Sequence, residues 1–423
     1  MLHLARYALI LPAVIVMAVY LPMLFDMSFG ERVPKTHLFY SPVSKKFIWR
    51  DKLLRPAEES LEEVHHAQFV QMDQDGKRYT RQEFEKLLPF IYYKNMELWG
   101  LLPLKIDGAS FDKEAIRADR QVVELKPKQI AGRSPDEQVY PLLESQPDAA
   151  RLAFPEERFR LAGGLEFINA DFNRPDQELS RKFNQALKKA GVAFPLRLAA
   201  GNNTILKPFD NGFFLVDASG AVFHLKRVKG EPWVVKTPID PALGVRSIKV
   251  SENRRKEFRA LLLSNDDRLF LLSSDNYRLT PLPLEGYDPD GMDFKLIINP
   301  LYRTAVYSDD KIIRAVVLDK DYRPLVSYQH TMPGAELTPA QSVFSYLAPF
   351  RIDLEDPNSG YFAFQLKGWG THSLIALAWA AALFLVYALR RRSGGTGIWA
   401  DGLVVLLTGA YGLIAVTVLP LEE

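Results

Sequence analysis

The sequence predicts an α+β, membrane-anchored chain. An N-terminal transmembrane helix leads into a large extracytoplasmic domain with a helical, mixed first part and a propeller-like β-repeat second part. A C-terminal transmembrane hairpin closes the chain. Three observations predict this. The longest uncharged apolar runs of the 423 residues lie at the two ends. From about residue 200 onward, apolar residues alternate with period two, one hairpin after another. There is no cysteine, so an exported domain must be stable through its core alone. The boundaries are 1–25 for the anchor, 26–200 for the mixed part, 201–370 for the β-rich part and 371–419 for the hairpin, whose short loop is 390–397.

The first apolar run, Tyr7 to Phe25, has no charge. At 1.5 Å per residue its 19 residues reach about 28 Å, close to the hydrocarbon thickness of a bilayer. Pro12 and Pro22 are tolerable in such a helix. A signal peptide cleaved near Ser28-Phe29-Gly30 is the rival, but the run is longer than a usual h-region. The second run, Thr371 to Leu389, follows Trp369 and ends in Arg390-Arg391-Arg392. The third runs from Ile398 to Leu419, before Pro420 and the Glu422-Glu423 tail. Lys and Arg flanking membrane helices stay in the cytoplasm. Arg6 and the three arginines therefore set one topology: N-terminus inside, 26–370 outside, the 390–397 loop inside, C-terminus outside. The expected compartment is a cytoplasmic (inner) membrane, with the large domain facing the periplasm or exterior. Small residues at i, i+4 spacing (Ala376/Ala380, Ala378/Ala382, Thr408/Gly412) let helices approach closely, either within the hairpin or against another membrane subunit. Asp401 falls in the first turn of the third run, where a carboxylate suits the helix dipole.

Within the mixed part, Leu38–Ile48 reads as extended chain broken by Pro42. Thr80 and Glu83 form a capping box that opens a helix ending near Pro89. A second helix is expected over Asp112–Val122. A third covers Pro175–Ala190, with Leu179, Phe183, Ala186 and Leu187 on one face and Gly191 after its end. The β-rich part repeats a hairpin plan. Phe213–Asp217 turns at Ala218-Ser219-Gly220 into Val222–Leu225. Leu261–Leu263 turns at Asn265–Asp267 into Leu269–Leu272, and Thr304–Tyr307 turns at Ser308–Asp310 into Ile312–Leu318. Further strands are expected at Trp233–Lys236, Tyr277–Leu282 and Tyr322–Tyr328. The repeat of about 43–47 residues, with four short strands each, is a signature of propeller blades, with a β-sandwich as the alternative.

Composition and motifs exclude several chemistries. Lys and Arg (53) nearly balance Asp and Glu (51), for a net charge of +2, which gives no electrostatic case for nucleic acid. Without cysteine there is no thiolate metal site, Fe–S cluster or Cys nucleophile. Asp73-Gln74-Asp75-Gly76 resembles a calcium loop, but Gln71, Arg78 and Gln82 fall where ligands and the loop's apolar residue belong, so a hairpin turn is expected. Glu62 and His66 form an i, i+4 pair without a third metal ligand. His224 and His330 are lone histidines. No phosphate-binding glycine loop or nucleophile elbow is present. No cofactor is implied, and any ATP would be hydrolysed by another chain. One polar cluster stands out between the two parts: Gly201-Asn202-Asn203-Thr204 followed by Lys207-Pro208-Phe209-Asp210-Asn211-Gly212. Asn202, Asn203, Lys207 and Asp210 are the candidates for ligand or partner contact, with turn chemistry as the plainer reading.

A series of blocks resembles an uncharacterised family of bacterial membrane proteins, a domain of unknown function. The blocks are Phe39-Tyr40-Ser41-Pro42-Val43 with Lys46-Phe47, Leu88–Tyr93, Tyr140–Ser145, Phe154–Arg160, Glu166–Asn169, Gly201–Thr204, Lys207–Phe214 and Phe223–Lys226. Such proteins tend to be encoded beside ABC-transporter subunits. The resemblance thus implies an ABC-type permease and ATPase as partners, and it carries over no catalytic residue. The expectation is a non-enzymatic accessory or binding subunit of a membrane complex. The competing expectation is a membrane-tethered enzyme acting on envelope material.

Overall fold

The computed structural model describes residues 2–29, 36–52, 69–135, 137, 139–332, 339–391 and 397–420. They cluster into two compact units. The described residues of one are 36–52, 69–135, 137 and 139–332; those of the other are 2–29, 339–391 and 397–420. The Glu62/His66 pair, Arg392 and the glycine-rich 393–396 segment fall outside the described residues.

The larger unit is α+β and is built from small antiparallel sheets. The first holds β1 (His37–Tyr40), β2 (Phe47–Lys52), β3 (Phe69–Asp73) and β4 (Arg78–Tyr79) in sequence order. Helix α2 (Arg81–Leu87) follows, opened by the expected capping box: the Thr80 side chain accepts from Glu83 N–H and Glu83 accepts from Thr80 N–H. Helix α3 (Tyr93–Leu98), the β5–β6 hairpin (Leu104–Ile106, Ala109–Phe111) and α4 (Lys113–Asp119) come next. The helix expected over 112–122 stops at Asp119. Val122 and Val123 belong instead to β7 (Gln121–Leu125), where β-branched residues pair with a distant strand.

β8 (Glu157–Ala162), β9 (Gly164–Asn169) and β10 (Arg174–Asp176) form a three-stranded sheet. Helix α5 (Gln177–Lys189) packs on it with Phe183 and Leu187 fully buried. Asp176 caps its start by accepting from Leu179 N–H at 2.8 Å.

The 43–47-residue repeat is realised as three successive meanders. They are β11–β14 (Leu198–Ala200, Phe213–Val216, Val222–Val228, Glu231–Lys236), β15–β18 (Val245–Val250, Phe258–Ser264, Leu269–Ser273, Leu279–Pro281) and β19–β22 (Asp293–Ile298, Arg303–Ser308, Ile312–Leu318, Pro324–Thr331). β7 adds a fifth strand beside β19.

Period-two alternation sends neighbouring side chains of each strand to opposite faces, and both faces are used. Phe213, Leu215, Phe223 and Leu225 pack toward α5 and β8–β9. Their neighbours Phe214, Val216 and Val222 pack on Ile248, Leu262 and Phe270 of the next sheet. Leu261, Leu263 and Leu271 then meet Phe294, Leu296 and Tyr307, and Val306, Ala315 and Val317 meet Leu38, Phe47 and Trp49 of the first sheet. Five sheets thus pack face to face, each on the next. No closed barrel or propeller is found among the described residues.

The smaller unit contains α1 (Leu2–Phe29), α6 (Pro339–Leu347), the β23–β24 hairpin (Phe350–Glu355, Phe362–Gly368), α7 (Thr371–Arg391), α8 (Gly397–Thr408) and α9 (Ala410–Val418). Two helices, α1 and α7, are long and apolar enough to cross a membrane.

The third apolar run is not a continuous helix. Its chain reverses at Gly409, whose φ of 60° and ψ of −132° suit glycine alone. A Cβ there would also meet the Pro349 ring at 2.8 Å. A straight helix would hold Asp401 and Leu419 about 27 Å apart. Instead one side chain, Arg6, touches both: Nη1 donates to Asp401 Oδ1 at 2.6 Å and Nε to the Leu419 carbonyl at 2.6 Å. The expected spanning helix 398–419 is therefore corrected to a short helical hairpin, α8–α9, whose two ends lie together beside the start of α1. Half-helices of 12 and 9 residues are too short to span separately.

Candidate functional site

The loop before β12 brings together most of the sequence-predicted site residues. Gly212 sits at φ +70°, and a Cβ there would lie 2.2 Å from the Leu225 carbonyl oxygen. Only glycine lets the loop turn this tightly into the strand. Asp210 accepts from Gly212 N–H at 3.0 Å and from Ser145 Oγ at 2.6 Å. Lys207 Nζ donates three bonds: to Asp210 Oδ1 at 2.7 Å, to Glu252 Oε1 at 2.9 Å and to the Asn202 carbonyl at 2.8 Å. Glu252 also accepts from Asn211 N–H at 2.6 Å and from Asn202 Nδ2 at 2.9 Å. The side chains of Lys207 and Asp210 are 3% exposed and that of Glu252 is 0% exposed. Asn203 stands apart from this knot and donates to Glu137. Burial pushes the Glu252 carboxyl above its usual range, while Asn211 N–H and Lys207 pull the other way.

A second layer extends inward. His224 Nε2 donates to the Asn211 carbonyl, and Nδ1 accepts from Tyr277 OH at 2.8 Å. The ring stacks on Phe214 at 4.5 Å. Burial, with Lys226 and Arg259 nearby, pushes the imidazole down to about 3. His224 is thus neutral at any physiological pH and holds one tautomer. Arg259 donates to Asn211 Oδ1 at 3.0 Å and to the Ser274 carbonyl at 3.0 Å, with its guanidinium over the Tyr277 ring. Chemically the arrangement is a clasp. Every donor of Lys207 has an acceptor within the fold, and the loop is tied to the β11–β14 and β15–β18 sheets. Glu252 and Arg259 were not singled out from sequence, and Asn211, named within the polar cluster, was not among its contact candidates. Their partners lie about 40 to 50 residues away, a separation no local pattern reports.

Beside the clasp, an open cleft of about 490 Å³ lies between the β16–β18 strands and the turn into β22. Phe258 and Leu279 line it, together with Thr280, Arg278, Lys320 and Tyr322. Its most enclosed carboxylate, Glu257, accepts from Tyr322 OH at 2.9 Å and pairs with Arg255 at 2.8 Å. Burial and Glu257 raise the Tyr322 phenol well above its usual range. A carboxylate held by a guanidinium and a phenol that stays protonated make a fixed polar wall. Among the described residues no group of three His, Asp or Glu is placed to hold a metal ion. In the loop that resembles a calcium site, Asp73 accepts from the backbone N–H of Asp75 and Lys77 and from Tyr79 OH at 2.7 Å. It closes the hairpin turn, as expected.

In the helical unit the polar focus is Arg6, Tyr7 and Asp401. The guanidinium forks onto both Asp401 oxygens, Nη1 at 2.6 Å and Nη2 at 3.0 Å. Tyr7 OH donates to Asp401 Oδ1 at 2.9 Å. The Asp401 side chain is 2% exposed and that of Arg6 9%. Arg6, expected before the first helix as a topology determinant, lies instead five residues into α1, engaged in a buried bidentate pair. Asp401, expected only to suit a helix dipole, is its partner. Arg390 is exposed near the end of α7, and the side chain of Arg391 is outside the described residues. The Ala376/Ala380 face is fully buried inside the unit, whereas Ala378 and Ala382 face outward.

Residues 37–318, about two thirds of the chain, match the model of a domain of unknown function (DUF4857), and the chain belongs to that family. None of the curated proteins compared matches it.

Proposed function

We propose that this DUF4857 member is an integral membrane protein of the bacterial envelope. It acts as a non-enzymatic accessory or binding subunit, with residues 36–332 outside the cytoplasm. One observation carries the membrane reading: the helical unit is inverted relative to a water-soluble fold. It holds a charge pair, Arg6–Asp401, in its interior, while Leu4, Leu11, Leu24, Leu374, Leu385 and Leu389 point outward at 54% to 79% exposure. Lipid accepts the leucines, and it demands that charges be interior and paired.

In this reading α1 crosses outward from a cytoplasmic N-terminus and α7 returns. The α8–α9 hairpin enters the bilayer and comes back, so both termini share one side. That replaces the sequence expectation of an outside C-terminus. The binding role is supported by the clasp, whose titratable groups are tied to one another instead of being offered to a substrate. An ABC-type permease with its ATPase is the proposed partner, through the outward Ala378/Ala382 face of α7. That partnership rests on the family resemblance.

The chain has no cysteine, so single introduced thiols report topology cleanly. In intact cells a membrane-impermeant maleimide is expected to label Lys236→Cys. Pro420→Cys should react only after permeabilisation. Labelling of Pro420→Cys from outside would restore a spanning third helix and refute the hairpin topology. Tagged purification in mild detergent then tests the partner: stoichiometric recovery of a permease and ATPase is expected, and a monodisperse lone chain counts against it.

A further inference from the structure

The α7–α8 face of the helical unit carries a feature that neither the family match nor the accessory role assigns. Ala381, Ala388 and Gly402 leave a groove of about 860 Å³ between the two helices. Gly402 sets its depth: a Cβ there would lie 3.0 Å from the Phe384 ring. The walls are Leu385, Leu389, Trp399, Leu403 and Leu406, all more than half exposed, with Trp399 at 82%. α8 spans 12 residues, about 18 Å. The groove therefore runs along one half of a bilayer, the half next to the α7–α8 connection.

That end is cationic. Arg390 directly follows the wall residue Leu389, is exposed, and has no carboxylate partner among the described residues. Two more arginines follow it in sequence. Trp399 sits at the same mouth, the level at which indole rings settle in membranes.

Resting on the membrane reading above, we propose that this groove is a binding site for an anionic phospholipid of the cytoplasmic leaflet. One acyl chain lies along Leu385–Leu406 and the phosphate pairs with Arg390. The charge at the mouth selects this occupant. An apolar partner helix would cover the leucines but strand the guanidinium, whereas an anionic lipid satisfies both at once.

The test uses the full chain, delipidated in detergent and then offered equimolar phosphatidylglycerol and phosphatidylcholine, read by native mass spectrometry. The expected result is one retained phosphatidylglycerol per chain, favoured about fivefold over phosphatidylcholine. Arg390→Ala should keep a lipid but lose the preference, and Ala388→Trp should retain neither. Cardiolipin offered in place of phosphatidylglycerol distinguishes the two anionic sources. Should Ala388→Trp fail to fold, quenching of the unmodified protein by brominated lipids reads the same site. Phosphatidylglycerol is then expected to quench more than phosphatidylcholine, with the difference abolished in Trp399→Phe. Equal retention of both lipids, or quenching indifferent to headgroup, means ordinary annular lipid and overturns the site while leaving the membrane reading intact. A chain that stays soluble without detergent and retains no lipid overturns the membrane reading itself.

Discussion

Two buried ionic knots hold this protein together, one in each unit, and they sit in opposite surroundings. In the sheet unit, Lys207, Asp210 and Glu252 lie under an exterior that carries most of the chain's charge. In the helical unit, Arg6 and Asp401 lie under an exterior of leucine, valine and phenylalanine. The first knot has one cation for two carboxylates and is completed by backbone groups: Asn202 C=O, Asn211 N–H and Gly212 N–H. The second is a one-to-one fork helped by a tyrosine and by the Leu419 and Val416 carbonyls. The sheet unit thus treats buried charge as a network whose members depend on each other. The helical unit treats it as a charge-matched pair, neutral overall, with backbone carbonyls taking the remaining guanidinium donors.

The sharpest way to break that comparison is to remove the cation from each. Lys207→Met strands two buried carboxylates and should cost about 3–5 kcal/mol, at the upper end of that range. Urea denaturation of the full chain in detergent, followed by tryptophan fluorescence, reads the loss. Arg6→Met strands one carboxylate, which keeps the Tyr7 hydroxyl, so the loss should fall at the lower end. Second-site changes then separate network from pair. Arg6→Met with Asp401→Leu should recover most of the stability, because a matched apolar pair replaces a matched ionic one. Lys207→Met with Glu252→Leu should recover only part, since Asp210 remains without a cation. Equal recovery in both would mean that the sheet knot is also a simple pair.

A smaller effect separates the two units by pH. His224 is held neutral down to about 3 in the folded chain, while an unfolded imidazole titrates near 6.5. The folded pKa lies below the unfolded one, so unfolding takes up a proton between those values. Stability therefore falls as pH drops below 6.5, by at most about 1.4 kcal/mol per unit for this group. Asp73, which Tyr79 OH and two backbone N–H groups hold low against the opposing effect of burial, acts in the same direction but only near and below its ordinary value of 3.8. Comparing denaturation midpoints of the native chain and His224→Gln between pH 7 and 4.5 separates this histidine from His330 and Glu252, which are also shifted. The gap between the native chain and His224→Gln should narrow as pH falls; a constant gap would place the acid sensitivity elsewhere.

What was legible in the sequence follows the range of the interaction that decides each feature. The Thr80–Glu83 box, the α5 stripe and the three hairpins are set by residues within a few positions of each other, and they stand where the sequence puts them. The first strand of each meander was missed. Val245-Arg246-Ser247-Ile248-Lys249-Val250 carries a register shift between Val245 and Ser247, which breaks the alternation that marks a strand. Asn202, Lys207 and Asp210 stand out in the sequence because polar loop residues are conspicuous, and the structure joins them in the clasp. Glu252 does not stand out, because a lone glutamate after a strand looks solvated. The reversal at Gly409 was invisible for a different reason. Hydropathy reports only that a run is apolar, and the two halves of a helical hairpin are as apolar as one continuous helix.

The smallest prediction concerns polar contacts that water can replace. Asp176 caps α5 in the sheet unit from a partly exposed position, accepting from Leu179 N–H at 2.8 Å. Asp176→Ala should cost about 1 kcal/mol and Asp176→Asn almost nothing, since an amide oxygen accepts the same bond. The cost is modest because the freed N–H at an exposed helix start finds solvent. No such replacement exists for Asp401, whose carboxylate is 2% exposed. Both residues are aspartates beside the first turns of helices, where the macrodipole favours a carboxylate. A cost for Asp176→Ala comparable to that of Arg6→Met would erase the distinction and show the α5 cap to be as sealed from water as the helical latch. A cost several-fold smaller leaves solvent access, not residue type, as what sets the scale of each polar contact in the two units.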